Sequence, residues 1–181
     1  MDLSVESEFG SSDPGIPLLE HAQMTDFVQI EETDVPGTFR LPVPTALCVG
    51  PPSKRFMFGG VGLAAGIAAM ERFSNQQIIW ATAHYYSFVR ELQELSLEVQ
   101  IAATSKHMVH ASVTVHAGSD VAFRCMGTLG QQPSIDSRRW LSAPDVPSPE
   151  ACPEGHHWRG DHGGLHGRLE RRVAKGRYGR D

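Results

Sequence analysis

The apolar residues change their spacing partway along the chain. From residue 56 to residue 73 the sequence runs FMFGGVGLAAGIAAMERF, with no polar side chain before Glu71. This run predicts a helix that opens at the glycines and ends near Phe73. It is not an ordinary surface helix, which carries one apolar stripe. From residue 78 onward the period falls to two. IIWATAHYYSFV (78–89) is rich in β-branched and aromatic residues, and SLEVQIAA (96–103) sets Leu97, Val99 and Ile101 against Glu98 and Gln100. VHASVTVH (109–116) and VAFRCMGTL (121–129) follow, the second after a HAGSD turn. Such alternation marks antiparallel strands with one buried face. A short strand, GTFRLPV, precedes the helix, separated from it by the breaker-rich loop PTALCVGPPSKR.

The order strand, helix, four strands predicts an α+β fold. An antiparallel sheet with one apolar face has to cover it, and a single helix is available. A sheet curled around that helix explains why the helix needs no polar face, and its small residues (Gly62, Ala64, Ala65, Gly66, Ala68, Ala69) let the strands approach. The missing N-terminal cap is a second departure. Ser, Thr, Asp or Asn normally satisfies an orphan N–H at a helix start, and none stands before Gly59. Uncapped N–H groups at the positive end of a helix form a ready anion site. Gly59 and Gly60 therefore admit two readings. They leave room for a ligand oxygen that turns negative in a transition state, or they permit a tight turn and close packing.

Composition narrows the setting. The formal net charge of −5 conceals nine acids and no Lys or Arg between Met1 and Gly37, against seven basic residues and two acids between Arg159 and Arg180. The basic stretch is short and broken by glycine, so a solvated sheet edge is the simpler reading and no nucleic-acid partner is expected. Cys48, Cys125 and Cys152 are odd in number and scattered, which argues for a reducing compartment. The N-terminus lacks the pattern of a secretory signal, and the longest apolar run, Val61 to Met70, is half of what spans a bilayer. A cytoplasmic protein without a membrane partner is expected. Four regions result: an acidic, loosely ordered segment (1–36), the α+β domain (37–130), a Pro/Ser-rich linker (131–160) and a basic, strand-like tail (161–181).

Phe-Gly-Gly leading an apolar helix, then WATAHYYSFVRE, then three alternating strands resembles the N-terminal half of type II acyl-CoA thioesterases. These are double-hotdog proteins, with two such units fused in one chain. The resemblance runs from about Phe39 to Leu129, and HYYSFVR resembles that family's strand end. It implies a hotdog fold, hydrolysis of the thioester of fatty acyl-CoA, no cofactor, and a pocket where two hotdog units meet. Phe58, Gly59, Gly60 and Val61 would then bind substrate, with backbone N–H groups near Gly60 and Val61 holding the thioester oxygen. The tail, GLHGRLERRVAKGRYGRD, looks like the first strand of a second hotdog.

The departures from that family bear on catalysis. Its catalytic carboxylate, hydroxyl and Gln belong to the second hotdog. Here no Asp or Glu lies between Phe56 and Met70, and Glu71 is about 16 Å along the helix from Gly60, so it could serve only the site of a partner. Thr82 and His84 are expected beside the helix start. Thr82 could orient water and His84 could act as a base near neutral pH, although an ordinary ladder histidine is the simpler role. Cys152, His156, His157, His162 and His166 match no structural-zinc spacing, and no metal site is expected. Cys125 reads as inert packing in a strand. Arg55 and Lys54 could meet CoA phosphates or simply be solvated. No phosphate-binding G-x-x-x-x-G-K-[ST] or dinucleotide-binding G-x-G-x-x-G motif is present.

The leading expectation is acyl-CoA thioester hydrolysis in a homodimer or with a partner hotdog unit, because a lone unit leaves an edge strand unpaired. A non-catalytic acyl-CoA-binding or scaffolding hotdog is the alternative. Hydration of an enoyl thioester would need an Asp–His pair that the sequence does not supply.

Overall fold

The computed structural model describes residues 27–131, 141–142, 144–155 and 163–176. Most of the acidic N-terminal segment, much of the linker, three of the histidines weighed as zinc donors (His156, His157 and His162) and the last residues of the tail lie outside them.

Eight strands and one α-helix make up the domain: β1 (Glu31–Glu32), β2 (Thr38–Pro42), β3 (Cys48–Val49), β4 (Phe56–Met57), α1 (Gly59–Ser74), β5 (Ile78–Tyr85), β6 (Glu94–Thr104), β7 (Met108–Ala117) and β8 (Asp120–Gly130). Six strands form one antiparallel sheet in the order β1-β2-β6-β7-β8-β5, and β3 and β4 form a separate two-stranded ribbon. The strands of this sheet on either side of the helix in sequence, β2 and β5, thus lie towards opposite edges. To pass from β2 to β5 the chain crosses the concave face, and α1 makes that crossing.

Alternation decides which face is buried. Leu95 and Leu97 of β6, Val113 and Val115 of β7, and Phe123, Cys125 and Leu129 of β8 are fully buried, while Glu94, Glu98, Arg124 and Met126 are exposed. Against them α1 buries Val61, Gly62, Ala65, Gly66, Ala69 and Met70. The small residues do bring helix and sheet together. A Cβ on Gly66 would stand 2.6 Å from the Cys125 sulfur, closer than any side chain can sit. The opposite arc of the helix (Leu63, Ala64, Ile67, Ala68) is only partly buried. The sheet of one chain wraps the helix from one side, and the rest of its apolar circumference is half-covered.

The region between β2 and α1 is more structured than a breaker-rich loop suggests. A 3-10 turn at Thr45–Leu47 leads into β3, a second at Pro52–Lys54 leads to β4, and Leu47, Cys48 and Val49 join the core. The Thr45 hydroxyl donates to the Glu91 carboxylate (3.1 Å), which also pairs with the largely buried Arg55 at 3.8 Å. Arg55 thereby braces this loop and is not a solvated charge.

After the linker the chain returns to its own domain. The 3-10 turn Leu165–Arg168 packs on the Thr45–Leu47 turn and β3, and Leu165 is buried in the core. Arg172 donates to the Cys152 carbonyl (3.2 Å) and pairs with Glu154 (3.8 Å) and Glu170. The strand-like tail therefore contributes, within its described residues, one isolated bridge between Arg172 and Glu154, and it lies as a strap on the first unit.

Candidate functional site

The site forms where β4 hands the chain to α1. The N–H of Met57 donates to the Val89 carbonyl (2.8 Å) and that of Phe58 to Leu47 (3.0 Å), which fixes the entry. Phe58 is extended (φ −66°, ψ 133°) and offers no side-chain cap. Its carbonyl accepts from the N–H groups of Val61 (2.9 Å) and Gly62 (3.4 Å). The N–H groups of Gly59 and Gly60 have no partner among the described residues. The donor expected at Val61 is thus engaged, and the unpartnered pair is one residue earlier.

Neither glycine stands over empty space. A Cβ on Gly60 would meet the Phe58 ring at 2.7 Å, and one on Gly59 would meet the Tyr85 ring at 3.4 Å. Close packing against rings accounts for part of the glycine pair. It leaves the two N–H groups unsatisfied all the same. The Tyr85 hydroxyl donates to the Gly59 carbonyl and its ring lies 5.3 Å from that of Phe123, so β5 is clipped to the first turn of the helix. Burial, with a smaller contribution from Cys125, raises the Tyr85 pKa, which keeps the phenol a neutral donor.

Beside this turn lies a cleft of about 240 Å³. Met57, Val89 and Phe123, all buried, form its floor. Tyr85 and Gly59 make the helix-side wall, and Phe56, Tyr86, Ser87 and Phe88 complete the lining. Phe56 and Phe88 meet edge to face at 5.2 Å, although Phe88 remains 79% exposed at the rim. Clefts lined mainly by apolar and aromatic side chains are a common form of small-molecule site.

The expected catalytic side chains do not gather here. Glu71 is at the far end of α1, where its carboxylate accepts from the Ile78 N–H (2.8 Å) and anchors the start of β5. Thr82 and His84 are on β5 as expected, but on its other face. Ala83 pairs with Cys125 and Tyr85 with Phe123 on the helix side, so Thr82, opposite Met126, and His84, opposite Arg124, point away from the helix. The period of two that identifies the strand turns these residues from the helix start of their own chain. Tyr85, the next residue after His84, is the one presented to Gly59. It was legible as the helix-facing member of HYY once Ala83 is placed inward.

Cys48 and Cys125 are held as neutral thiols. Burial pushes Cys125 up to about 11, and burial together with the nearby Glu91 carboxylate does the same for Cys48. No group of three or more His, Cys, Asp or Glu that could hold a metal occurs among the described residues, and no helix there is long and apolar enough to cross a membrane.

The chain has the hotdog fold, an antiparallel sheet wrapped on a single helix. It is similar to a protein from Novosphingobium aromaticivorans assigned as a thioesterase (23% identity, TM-score 0.64, covering 69% of this chain and 49% of that one). A protein from Thermobifida fusca assigned as a thioesterase II gives a TM-score of 0.68 at 11% identity, covering 82% of this chain and 53% of that one. The chain thus spans about half the length of these two proteins. A variant of a thioesterase enzyme from Staphylococcus aureus is instead covered over 99% of its length by 62% of this chain (15% identity, TM-score 0.51). No protein-family model matches the sequence, and no curated protein matches it.

Proposed function

We propose that this chain is an acyl-CoA thioesterase unit that hydrolyses the acyl-CoA thioester within a dimer or double-hotdog assembly. The observation that carries the reading is the pair of unpartnered N–H groups at Gly59 and Gly60, on a positive helix end beside an aromatic-lined cleft. The acyl group occupies the cleft and the thioester carbonyl meets those N–H groups. Water adds to the carbonyl carbon, and its oxygen takes up negative charge that the two donors stabilise by an amount of order 3 kcal/mol. Collapse of the adduct breaks the C–S bond, and the CoA thiolate takes up the proton released from water. The base that accepts this proton in transit comes from a facing unit, because Thr82, His84 and Glu71 of the same chain lie elsewhere. Glu71 of a second copy is the first candidate.

The partner is expected along β5, which is an edge of the sheet among the described residues. A second unit paired there continues the sheet and covers the half-buried arc of Leu63, Ala64, Ile67 and Ala68. A non-catalytic acyl-CoA-binding unit is the second reading, favoured by the engagement of Glu71 with the Ile78 N–H.

The test measures thiol release from hexanoyl-CoA beside sedimentation at micromolar concentration. Release that rises with the dimer fraction is the expected outcome. Binding without release supports the second reading, and a monomer that neither binds nor cleaves overturns both.

A further inference from the structure

We propose that the Tyr85 hydroxyl fixes the direction of the Gly60 N–H, which makes Tyr85 a positioning residue for the site. The inference rests on the reading above, in which that N–H meets a thioester oxygen. It adds the side chain that holds the donor in place.

The link is a single peptide group. The Gly59 carbonyl, which accepts from the Tyr85 hydroxyl, is bonded to the Gly60 nitrogen. The group is planar and trans, so its carbonyl and its N–H point in opposite directions. A group that holds one end therefore aims the other. The carbonyl points along α1, and the N–H points out of the helix start. A hydrogen bond to the carbonyl also polarises the peptide, which strengthens its N–H as a donor by about 10–30%.

The two open N–H groups are held in different ways. That of Gly59 shares its peptide with the Phe58 carbonyl, which the helix itself engages through Val61 (2.9 Å) and Gly62 (3.4 Å). That of Gly60 depends on the Gly59 carbonyl, whose partner within a regular helix is the Leu63 N–H four residues on. Burial, and less so Cys125, raise the Tyr85 pKa, and the Leu63 backbone opposes them by a hydrogen bond to the phenol. The phenol thus stands between the Gly59 carbonyl and Leu63, where that turn of the helix would close on itself. Two adjacent glycines carry the widest backbone freedom of any residue pair, and no side chain caps this end. The hydroxyl supplies the missing hold.

Its own position comes from the sheet. Tyr85 pairs with Phe123 across β5 and β8, and the two rings lie 5.3 Å apart, with Phe123 fully buried. The next residue is tied as well, since the Tyr86 N–H donates to the Ala122 carbonyl (2.9 Å). The ring packs so close to Gly59 that a Cβ there would stand 3.4 Å from it. The donor is thereby aimed by the sheet, across the gap between strand and helix.

The test is Tyr85→Phe in the full chain, which removes the hydroxyl and keeps the ring. In 15N relaxation the Gly60 amide should leave the rigid range, an order parameter of about 0.85, while Gly59 stays within it. For hexanoyl-CoA the variant should lose about tenfold in kcat, with KM changed by less than about twofold. An unchanged Gly60 order parameter overturns the inference, and so does equal loosening of Gly59 and Gly60, which would make Tyr85 a brace for the whole turn. A selective response at Gly60 with kcat unaltered overturns the positioning role. A wild-type chain that releases no thiol, with Gly60 alone responding to the substitution, overturns the hydrolase reading and supports the hold of Tyr85 on the donor.

Discussion

The two ends of α1 begin with the same problem and receive opposite treatment. Each helix terminus leaves several backbone groups without intrahelical partners. At the C-terminal end polar groups tie the helix down: Ser74 donates to the Met70 carbonyl (2.8 Å), and Asn75 closes the helix in the left-handed conformation (φ 52°). Around that end Arg72 reaches the Ile30 carbonyl (2.7 Å), and Glu71 takes the Ile78 N–H. At the N-terminal end no side chain caps the helix, and two N–H groups are left open beside a cleft. Where stability was the requirement, polar side chains were placed to meet it. Where they are withheld, the donors remain available to a ligand.

The largest effect is expected at the anchored end. Met70 is fully buried under the last turns of α1. Met70→Ala should lower unfolding free energy by about 3 kcal/mol, read by chemical denaturation, while the affinity of the folded protein for hexanoyl-CoA stays within about twofold. A collapse of affinity in fully folded protein would show that the two ends are not independent.

The middle of the helix gives a pH signature of slightly smaller size. An ordinary thiol ionises near 9.0, whereas Cys125, against Gly66, holds its proton to about 11. Between those values the unfolded chain binds fewer protons than the folded one. The contribution is therefore complete below pH 9.0 and lost as pH rises through about 11. The loss amounts to about 2–3 kcal/mol. Cys48 acts in the same direction. Denaturation between pH 8 and pH 11 should show the decline, and Cys125→Ala should flatten it by about half. An unchanged slope would place the alkaline weakness elsewhere.

The smallest changes set the two ends directly against each other. Glu71→Ala should cost about 1.5 kcal/mol by leaving the Ile78 N–H without its carboxylate, with acyl-CoA binding unaltered. Gly60→Val should cost less than about 1 kcal/mol, because valine is the better helix former and the 43%-exposed Phe58 ring can swing aside. It should nevertheless weaken acyl-CoA binding at least tenfold by blocking approach to the N–H groups. A lowered melting temperature with intact binding would mean that Gly60 serves only as the seat of the Phe58 ring.

Much of the architecture was readable because it is periodic. The alternation of Leu95, Leu97, Val113 and Val115 both names the strands and decides their buried face, and the glycine-alanine run from Gly59 implies a helix pressed against a sheet. The open N-terminal end was legible from the missing Ser, Thr, Asp or Asn. What escaped depends on distant partners. Which face of β5 meets the helix follows from its register with Cys125 and Phe123, some forty residues on, so Thr82 and His84 were placed at the site and Tyr85 was not. The strand also stops at Tyr85, and the chain turns through Leu92 at φ 63°. Phe88, beyond the end of the strand, lines the cleft instead of a ladder. No local pattern signals that Leu165 returns to cover Leu47 and Cys48.

That return has a consequence for synthesis. A chain emerging from the ribosome exposes Leu47, Cys48 and Val49 early, and all of β8 must follow before the sheet is complete. Only later does the Leu165 turn arrive to cover β3. Domain folding during translation proceeds from the N-terminal side, so this patch stays uncovered until Leu165 has emerged. A nascent chain paused between Gly130 and Leu165 would hold a finished sheet with an uncovered apolar corner, which is the kind of surface that chaperones bind.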